Sequence, residues 1–323
     1  MKHNSRPPQI TCFDKDYLPE AAALFVRNFR KLRLSVPEAP SLMEEPERVT
    51  TMLAELFASC PGVMALDQGR LLGYMGWFIV DEFRGTDRKG AYCPEWGHAA
   101  AEGIQSNVYR AMYRLAAEQW ADQKCQVHAV TLLANDPEAE KVWFWNGFGL
   151  TGVDAVRSTQ PLPVAGPSDF SIRKSTSADA DLLSVLDAEH WMHYSSPPIF
   201  MVPHTPGNAA EFSAFIDKPD NSVWLAMDGH NPAGFIQFER VSFGAAQVVQ
   251  SETTIAITGA YVRPEYRGKK IAAAILNAAL MDYAALGFVR CSVDFESFNP
   301  EAVGFWMRYF RPVCLSVVRV PET

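Results

Sequence analysis

Three positive charges surround one glycine in the run Arg267-Gly-Lys-Lys270. Before this run, β-branched and apolar residues from Thr254 to Val262 predict a strand. Pro264 ends the strand, because proline has no N–H for a sheet ladder. After the run, apolar residues recur at helical spacing from Ile271 to Ala278. A loop at the start of a helix turns backbone N–H groups and the positive end of the helix dipole outward, so this stretch predicts a pyrophosphate site.

Length and composition bound the possible functions. The chain has 323 residues, 48% of them hydrophobic, which is enough for two domains with a core each. The net charge of −8 disfavours nucleic-acid binding, which needs a basic face. The N-terminus lacks the apolar core of a signal peptide, and no apolar run has membrane-spanning length. We therefore expect a cytoplasmic monomer or homodimer with a small-molecule partner, and with neither nucleic acid nor membrane as a partner.

The cysteines are scattered along the chain, without the paired spacing of a metal site. Such cysteines are typical of free thiols in a reducing cytoplasm, where most serve as small buried hydrophobic side chains. We expect no metal cofactor. The six cysteines are Cys12, Cys60, Cys93, Cys125, Cys291 and Cys314.

The second half of the sequence repeats the first. Offsets of 162, 161 and 163 residues relate Ile10 to Ile172, Asp67 to Asp228, and Trp143 to Trp306. Each half predicts a strand, helices, antiparallel strands, a helix, a strand, a helix and a final strand. A stretch with three prolines, 158–169, predicts a linker between domains 1–157 and 170–323. We therefore predict two copies of one α/β (α+β) fold rather than two unrelated α+β domains.

The loop and the order of elements resemble the GNAT acyltransferase superfamily, over about residues 10–157 and 170–320. Its acetyl-CoA loop has the pattern Arg/Gln-x-x-Gly-x-Gly/Ala after a strand that ends in Val-x-Pro. Arg267 and Ala272 fill the first and last positions, and Lys270 stands where the inner glycine lets backbone approach phosphate. The resemblance implies two tandem GNAT-like domains, each a mixed, mostly antiparallel twisted sheet flanked by helices.

The corresponding loop of the first half, residues 97–103, contains a carboxylate and neither lysine nor arginine. A pyrophosphate would meet no compensating charge there. We therefore predict that domain 1–157 is degenerate and that the second domain carries the acyl-CoA site. Glu95, His98 and Glu102 form a candidate functional cluster near this loop, although surface or interdomain polar contacts are the more ordinary explanation.

The resemblance also implies which residues bind the cosubstrate, acetyl-CoA. Asn299, at the predicted start of the last helix, contacts the pantetheine side in the family, and it also suits a plain helix cap. Main-chain contacts to the pantetheine arm fall on Ala260, Tyr261 and Val262. The pyrophosphate cradle comprises Arg267, Gly268, Lys269, Lys270, Ile271 and Ala272.

Transfer of an acyl group to an amine needs a base for the proton of the amine. Alternation puts Ser292, Asp294 and Glu296 on one face of the strand predicted for residues 289–296. Among them Asp294 is our candidate catalytic carboxylate, and a solvated strand edge is the alternative explanation. The run His190–Tyr194 is a candidate wall of the acceptor pocket, where a histidine is more often structural.

The leaving thiolate also needs assistance, which the family often supplies from a tyrosine in the final helix. Trp306 occupies that position here. Tyr309 lies one turn further along the predicted helix and is the candidate catalytic acid. A packed core tyrosine fits the same spacing.

The sequence thus predicts an acetyl-CoA-dependent N-acyltransferase that acts on a small amine-bearing acceptor, with its active site in the C-terminal domain. The alternative is a non-catalytic acyl-CoA-binding or regulatory protein of the same fold. Lys270 in the glycine position and Trp306 in the tyrosine position favour that alternative. Release of CoA with a panel of amines distinguishes the two.

Overall fold

The computed structural model describes residues 7–59, 61–163 and 169–322. Cys60 and residues 164–168 of the predicted linker lie outside this part of the chain. The first half contains β1 (Gln9–Cys12), α1 (Leu18–Ser35), α2 (Pro46–Ser59), β2 (Gly62–Asp67), β3 (Arg70–Gly76), β4 (Phe78–Val80), β5 (Gly90–Cys93), β6 (His98–Ala100), α3 (Gln105–Asp122), β7 (Val127–Leu133), α4 (Pro137–Trp145) and β8 (Gly149–Ser158). The second half contains β9 (Ser171–Lys174), α5 (Ala180–Ser195), α6 (Ala209–Ile216), β10 (Ser222–Asp228), β11 (Asn231–Glu239), β12 (Thr254–Val262), α7 (Ile271–Ala285), β13 (Arg290–Glu296), α8 (Pro300–Tyr309) and β14 (Arg311–Arg319).

The chain divides into two compact units. Among the described residues, unit 1 comprises 7–59, 61–153, 246–248 and 312–322, and unit 2 comprises 154–163, 169–245 and 249–311. The last strand of the chain therefore belongs to unit 1, although it follows the second half in sequence. The predicted domains 1–157 and 170–323 are the two copies of a sequence repeat, and this division stays a prediction. The two units are defined by packing, so their bounds differ from those of the repeat.

Unit 1 contains a four-stranded antiparallel sheet in the order β1-β2-β3-β6. Further strands run in the order β4-β5-β7-β14, in which β5 and β7 are parallel and β14 is antiparallel to β7. The core of this unit is rich in aromatic side chains, because α3 and α4 bury large rings against β7. Three indoles are fully buried there, those of Trp77, Trp120 and Trp143.

Unit 2 contains strands in the order β8-β13-β12-β11-β10-β9, of which β12 and β13 are parallel and the pairs from β12 to β9 are antiparallel. Helices cover both faces of this sheet. Phe235 and Phe238 lie three residues apart in β11 and so point to opposite faces. Phe235 packs with the buried residues of α5 and α6, and Phe238 packs against Tyr283 of α7. Helices α5 and α7 therefore lie on opposite faces.

Candidate active site

Strands β12 and β13 separate near the middle of unit 2. Their parallel pairing ends where Ile257 lies beside Val293. Strand β12 nevertheless continues to Val262, and β13 continues to Glu296. Beyond Ile257 the edge of β12 that faces β13 has no strand partner among the described residues, which opens a gap between the two strands.

An extra residue in β12 lies at the same level. Gln237 of β11 pairs with Gly259, and Phe238 pairs with Ile257, so Thr258 is left out of the backbone register with β11. A bulge of this kind bends a strand and increases its twist. The bend accounts for the divergence of β12 from β13 beyond Ile257.

A cavity of about 540 Å³ occupies the gap. His190 of α5 and Ile271 of α7 both line it, and these helices lie on opposite faces of the sheet. The cavity therefore passes through the sheet, from the N-terminus of α7 to the face covered by α5. All of its lining residues belong to unit 2.

The predicted site residues gather around this cavity, although their roles remain predictions. Lys269 does not line it, and its ammonium lies over the ring of Tyr266, 5.0 Å from the ring centroid. The other eleven line it, namely Ala260, Tyr261, Val262, Arg267, Gly268, Lys270, Ile271, Ala272, Asp294, Asn299 and Tyr309.

The N-terminus of α7 forms part of the cavity wall. Lys270 precedes the helix in the left-handed region, with φ of 63°, and no side chain caps the helix. Gly268 also has positive φ, at 79°. The first N–H groups of a helix have no partner within it. These two left-handed residues thus turn the chain so that the N–H groups of the first turn, at Ile271 and Ala272, border the cavity.

Arg267 joins the loop to the walls on both sides. Its Nε donates a hydrogen bond to the carbonyl of Val262 over 3.1 Å. Its Nη1 donates to Oε1 of Glu301, in the first turn of α8, also over 3.1 Å. The guanidinium therefore has a carboxylate partner in the structure.

Hydrogen bonds fix the polar side chains in the gap. Asp294 accepts a hydrogen bond from Ser242 Oγ through Oδ1, over 2.8 Å. Tyr194 of α5 is hydrogen-bonded to Glu296 and Asn299, and burial, the largest cause, raises its pKa together with the nearby carboxylates. Tyr194 is therefore a protonated donor to Glu296.

Asn299 serves as a helix cap and as a member of this network. Its Oδ1 accepts the N–H of Ala302 over 3.1 Å, so its side chain caps α8. The side chain also reaches the hydroxyl of Tyr194. Sequence alternation had placed Glu296 beside Asp294 on β13, but nothing in the pattern indicated that Tyr194 would meet Glu296.

The final helix brings two large rings to the cavity. Trp306 is buried, and Tyr309 is half-buried with its ring 5.1 Å from that of Phe305. The tyrosine therefore both packs in the wall and lines the cavity. The position of Tyr309 is therefore compatible with both explanations of its spacing, a packed core tyrosine and a candidate catalytic acid.

The histidines of α5 lie on the opposite wall. His190 is 7% exposed, its Nδ1 lies 3.7 Å from Oδ1 of Asp187, and its Nε2 is buried without a partner among the described residues. Burial, followed by the charge of Arg267, lowers the pKa of His193. The lowered pKa favours the neutral form of His193, and both imidazoles are parts of the wall.

The candidate cluster of the first half does not assemble. Glu102 is exposed and pairs with Lys31. Glu95 is buried and accepts the N–H of Val248 over 3.1 Å. His98 is also buried, with one ring nitrogen 2.9 Å from the hydroxyl of Tyr109. A cavity of only about 20 Å³ lies beside Glu95 and His98, which is room for a single water molecule.

Comparisons with known proteins agree with this geometry. Residues 188–310 match the model of the acetyltransferase (GNAT) family. This stretch of the chain is similar to a GNAT domain. The matched range contains the loop, both splayed strands and α8, which together make most of the cavity wall.

Solved structures share the fold over almost the whole chain. A GCN5-related N-acetyltransferase from Sphaerobacter thermophilus is 11% identical, with a TM-score of 0.58 over 99% of this chain and 98% of that one. A GCN5-related glucosamine N-acetyltransferase region of a fungal multi-domain GH3 β-N-acetylglucosaminidase is 13% identical, with a TM-score of 0.55 over 97% of this chain and 38% of that one. A tandem GNAT protein from the clavulanic acid biosynthesis pathway is 12% identical, with a TM-score of 0.49 over 98% and 99%. The predicted fold class is confirmed.

No curated protein matches the chain. Within the described residues, no helix has the length and apolar character needed to cross a membrane. The same part of the chain holds no group of three or more His, Cys, Asp or Glu side chains placed to bind a metal ion.

Proposed function

We propose that the chain is an acetyl-CoA-dependent N-acyltransferase that acts on a small amine, with its active site in the cavity of unit 2. The observation that carries this proposal is the passage of the cavity between β12 and β13. It joins a helix N-terminus on one side of the sheet to a pocket on the other. A long, thin thioester with an anionic end has the shape and charge for such a passage.

The anionic end belongs at the N-terminus of α7. The N–H groups that begin this helix, its dipole and the ammonium of Lys270 all favour negative charge there. Gly268 and Lys270 supply the left-handed turns that bring backbone close to a bound phosphate. Lys269 adds positive charge nearby without lining the cavity.

The pantetheine arm belongs along β12. Beyond Ile257 this strand keeps its pairing with β11 but loses β13, so its other edge presents N–H and C=O groups without a strand partner over residues 260–262 of the described chain. The amide groups of an extended arm can add to such an edge as a strand does. Asn299 lies on the opposite side of the gap.

The reaction then proceeds at the inner end of the gap. The lone pair of the amine attacks the thioester carbonyl, a C–N bond forms, and the nitrogen gives a proton to a carboxylate, for which Asp294 is the candidate. The C–S bond breaks, and the thiolate takes a proton from Tyr309. The products are an N-acyl amide and CoA with a free thiol.

The first half contributes no second site in this proposal. Its loop lacks basic residues, and the cavity beside Glu95 and His98 has about 20 Å³. The full chain should therefore bind one acetyl-CoA. Isothermal calorimetry measures this ratio directly, and two sites of similar affinity would contradict the assignment.

A blocking substitution tests the location. Ala302 lines the cavity in the first turn of α8, and Ala302→Trp fills part of it, so acetyl-CoA binding should weaken at least about tenfold. Ala285→Trp, at an exposed position in the last turn of α7, is the matched control. Unchanged binding by the Ala302 variant would place the site elsewhere.

Turnover separates the enzyme from a non-catalytic acyl-CoA-binding protein. Lys270 and Trp306, at positions where the family pattern has glycine and tyrosine, favour the latter. The test is release of CoA from acetyl-CoA with a panel of primary amines. Binding of acetyl-CoA without turnover for every amine would support the binding protein.

A further inference from the structure

The end of the cavity on the α5 face is built from rings. Four side chains of α5 line it, His190, Trp191, His193 and Tyr194, together with Phe235 of β11. The ring of His190 lies 4.7 Å from that of Tyr194 and 5.9 Å from that of Phe235. The rings of Trp191 and Tyr194 are 5.7 Å apart. They form one continuous aromatic wall, to which Met201 adds a thioether.

The lysine and arginine side chains that line the cavity are confined to part of its wall, where Glu301 is also present. Its basic lining residues, Arg267, Lys270 and Arg308, belong to the loop and to α8. The lining residues from α5, β11 and the segment after α5 include neither lysine nor arginine. Asp294 and Glu296 face the cavity from the splayed end of β13. The ring-lined end therefore has no lysine or arginine of its own and opens beside the carboxylates of β13.

This arrangement determines what kind of group can carry the amine of the acceptor. We propose that the acceptor is a primary amine attached to an aromatic group, an inference that rests on the proposed function. The rings of α5 and β11 bind the aromatic group, and the carboxylates of β13 bind the ammonium. Aromatic faces attract both apolar rings and cations. A pocket of apolar walls with a few polar groups at one end is typical of small-molecule sites.

The same wall disfavours two other classes of amine. A polyamine would place its second ammonium among the rings, where no lining carboxylate pairs with it and attraction to the aromatic faces offsets only part of the lost hydration. An α-amino acid would bring its carboxylate toward Asp294 and Glu296, which carry like charge. The proposal therefore predicts an order among acceptors as well as a preferred one.

The experiment uses the full chain with saturating acetyl-CoA and four acceptors, with products quantified by mass spectrometry. Phenethylamine supplies the ring and the amine. Ethylamine lacks the ring, putrescine replaces the ring with a second ammonium, and phenylalanine adds a carboxylate to the phenethylamine skeleton. Phenethylamine should have a specificity constant, kcat/KM, at least about tenfold above that of each of the others. Equal or better use of ethylamine or putrescine would overturn the proposal.

Trp191→Leu tests the wall itself. The variant should raise the KM for phenethylamine by about fivefold or more and leave the dissociation constant of acetyl-CoA within about twofold. Met192→Leu is the control, because Met192 is the next residue of α5, is 65% exposed and does not line the cavity. An unchanged KM in the Trp191 variant, with intact folding by circular dichroism, would overturn the assignment of the wall.

A binding measurement keeps this proposal distinct from the proposed activity. Phenethylamine is titrated by calorimetry into the protein saturated with CoA. Binding that Trp191→Leu weakens, with no turnover of any amine, would support the aromatic pocket and count against the enzyme. Turnover or binding of other amines without binding of phenethylamine would support the enzyme and overturn the aromatic pocket. If none of the four amines binds, the pocket is likewise overturned.

Discussion

The guanidinium of Arg267 and the carboxylate of Glu301 form an ion pair in the cavity wall, with Nη1 3.1 Å from Oε1. Both side chains are partly exposed, at 31% and 46%. The pair places a negative charge at the basic end, where the proposed pyrophosphate binds. An incoming phosphate must compete with Glu301 for the arginine.

Glu301→Gln should therefore tighten acetyl-CoA binding. Exposed ion pairs contribute about 0.2–1 kcal/mol, so the expected gain is about 1.4- to fivefold. Calorimetry at low and high salt measures it, and the gain should shrink with salt because these charges are screened. Glu189→Gln is the control, since Glu189 pairs with Arg263 over 2.7 Å and does not line the cavity.

Arg267→Ala provides the opposite test of the same pair. Loss of a charge-assisted hydrogen bond to phosphate, worth about 1.5–3 kcal/mol, should weaken acetyl-CoA at least about tenfold. If Glu301→Gln instead weakens binding as Arg267→Ala does, the carboxylate holds the arginine in place and does not compete with the ligand.

Lys270 tests the glycine position of the loop. Its φ of 63° is a left-handed conformation, which costs an L-residue about 1–2 kcal/mol and glycine almost nothing. Lys270→Gly should therefore raise the free energy of unfolding by up to about 1 kcal/mol, and Lys270→Ala should not. Urea unfolding of the full-length variants measures this. Equal stability of the glycine and alanine variants would mean that the left-handed conformation is not strained here.

Strong local patterns could be predicted from the sequence. Strand β12 spans the predicted Thr254–Val262, because β-branched residues ended by a proline leave few alternatives. The repeat offsets likewise predicted two copies of one fold. Strand β5 was missed, because Gly90–Cys93 is short and lies in a stretch of turn-forming residues.

Contacts between distant residues could not be predicted. Nothing in β14 indicates that it pairs with β7, more than 170 residues earlier, rather than with a strand of the second half. The bulge at Thr258 depends on its register with β11, and the pairing of Arg267 with Glu301 depends on where α8 lies. A single sequence shows hydrophobic periodicity and helix-capping residues, which are local signals. The strand pairing, the bulge and the ion pair depend instead on tertiary packing.

Glu95 gives a prediction about pH. Burial raises its pKa to about 7, although backbone hydrogen bonds from Val248 and Gln247 act in the opposite direction. Between pH 4.5 and 7 the folded protein thus binds more protons at this group than the unfolded chain. Its contribution to stability is fully present below pH 4.5 and is lost as the pH rises through 7. The loss amounts to about 3 kcal/mol for a shift of this size.

Glu95→Gln isolates this contribution, because glutamine does not titrate. The unfolding free energy of the variant minus that of the parent should increase from pH 5 to pH 8, as measured by urea unfolding. His98 and His128, whose pKa values burial lowers to about 4, are present in both proteins and cancel in the difference. A difference that does not change with pH would show that Glu95 titrates normally.

Tyr309 is the candidate acid for the thiolate. It lines the cavity from the last turn of α8, three residues beyond Trp306, whose indole cannot donate a proton to a thiolate in this role. Tyr309→Phe keeps the ring contact with Phe305 and removes only the hydroxyl. One well-placed acid contributes about 10²–10⁴-fold, and since a CoA thiol leaves moderately well unaided, turnover should fall at least about tenfold. The affinity for acetyl-CoA should hardly change.

Tyr194→Phe is the control for Tyr309→Phe. It also removes a tyrosine hydroxyl from the gap, but not the one proposed to protonate the thiolate. Its hydroxyl contacts Glu296 and Asn299, so its removal should disturb the position of Glu296 and raise the KM for the amine. Steady-state kinetics with acetyl-CoA and phenethylamine measure both variants, and kcat should fall more in Tyr309→Phe than in Tyr194→Phe. Full turnover by the Tyr309 variant would exclude it as the acid and leave the thiolate to backbone N–H groups or water.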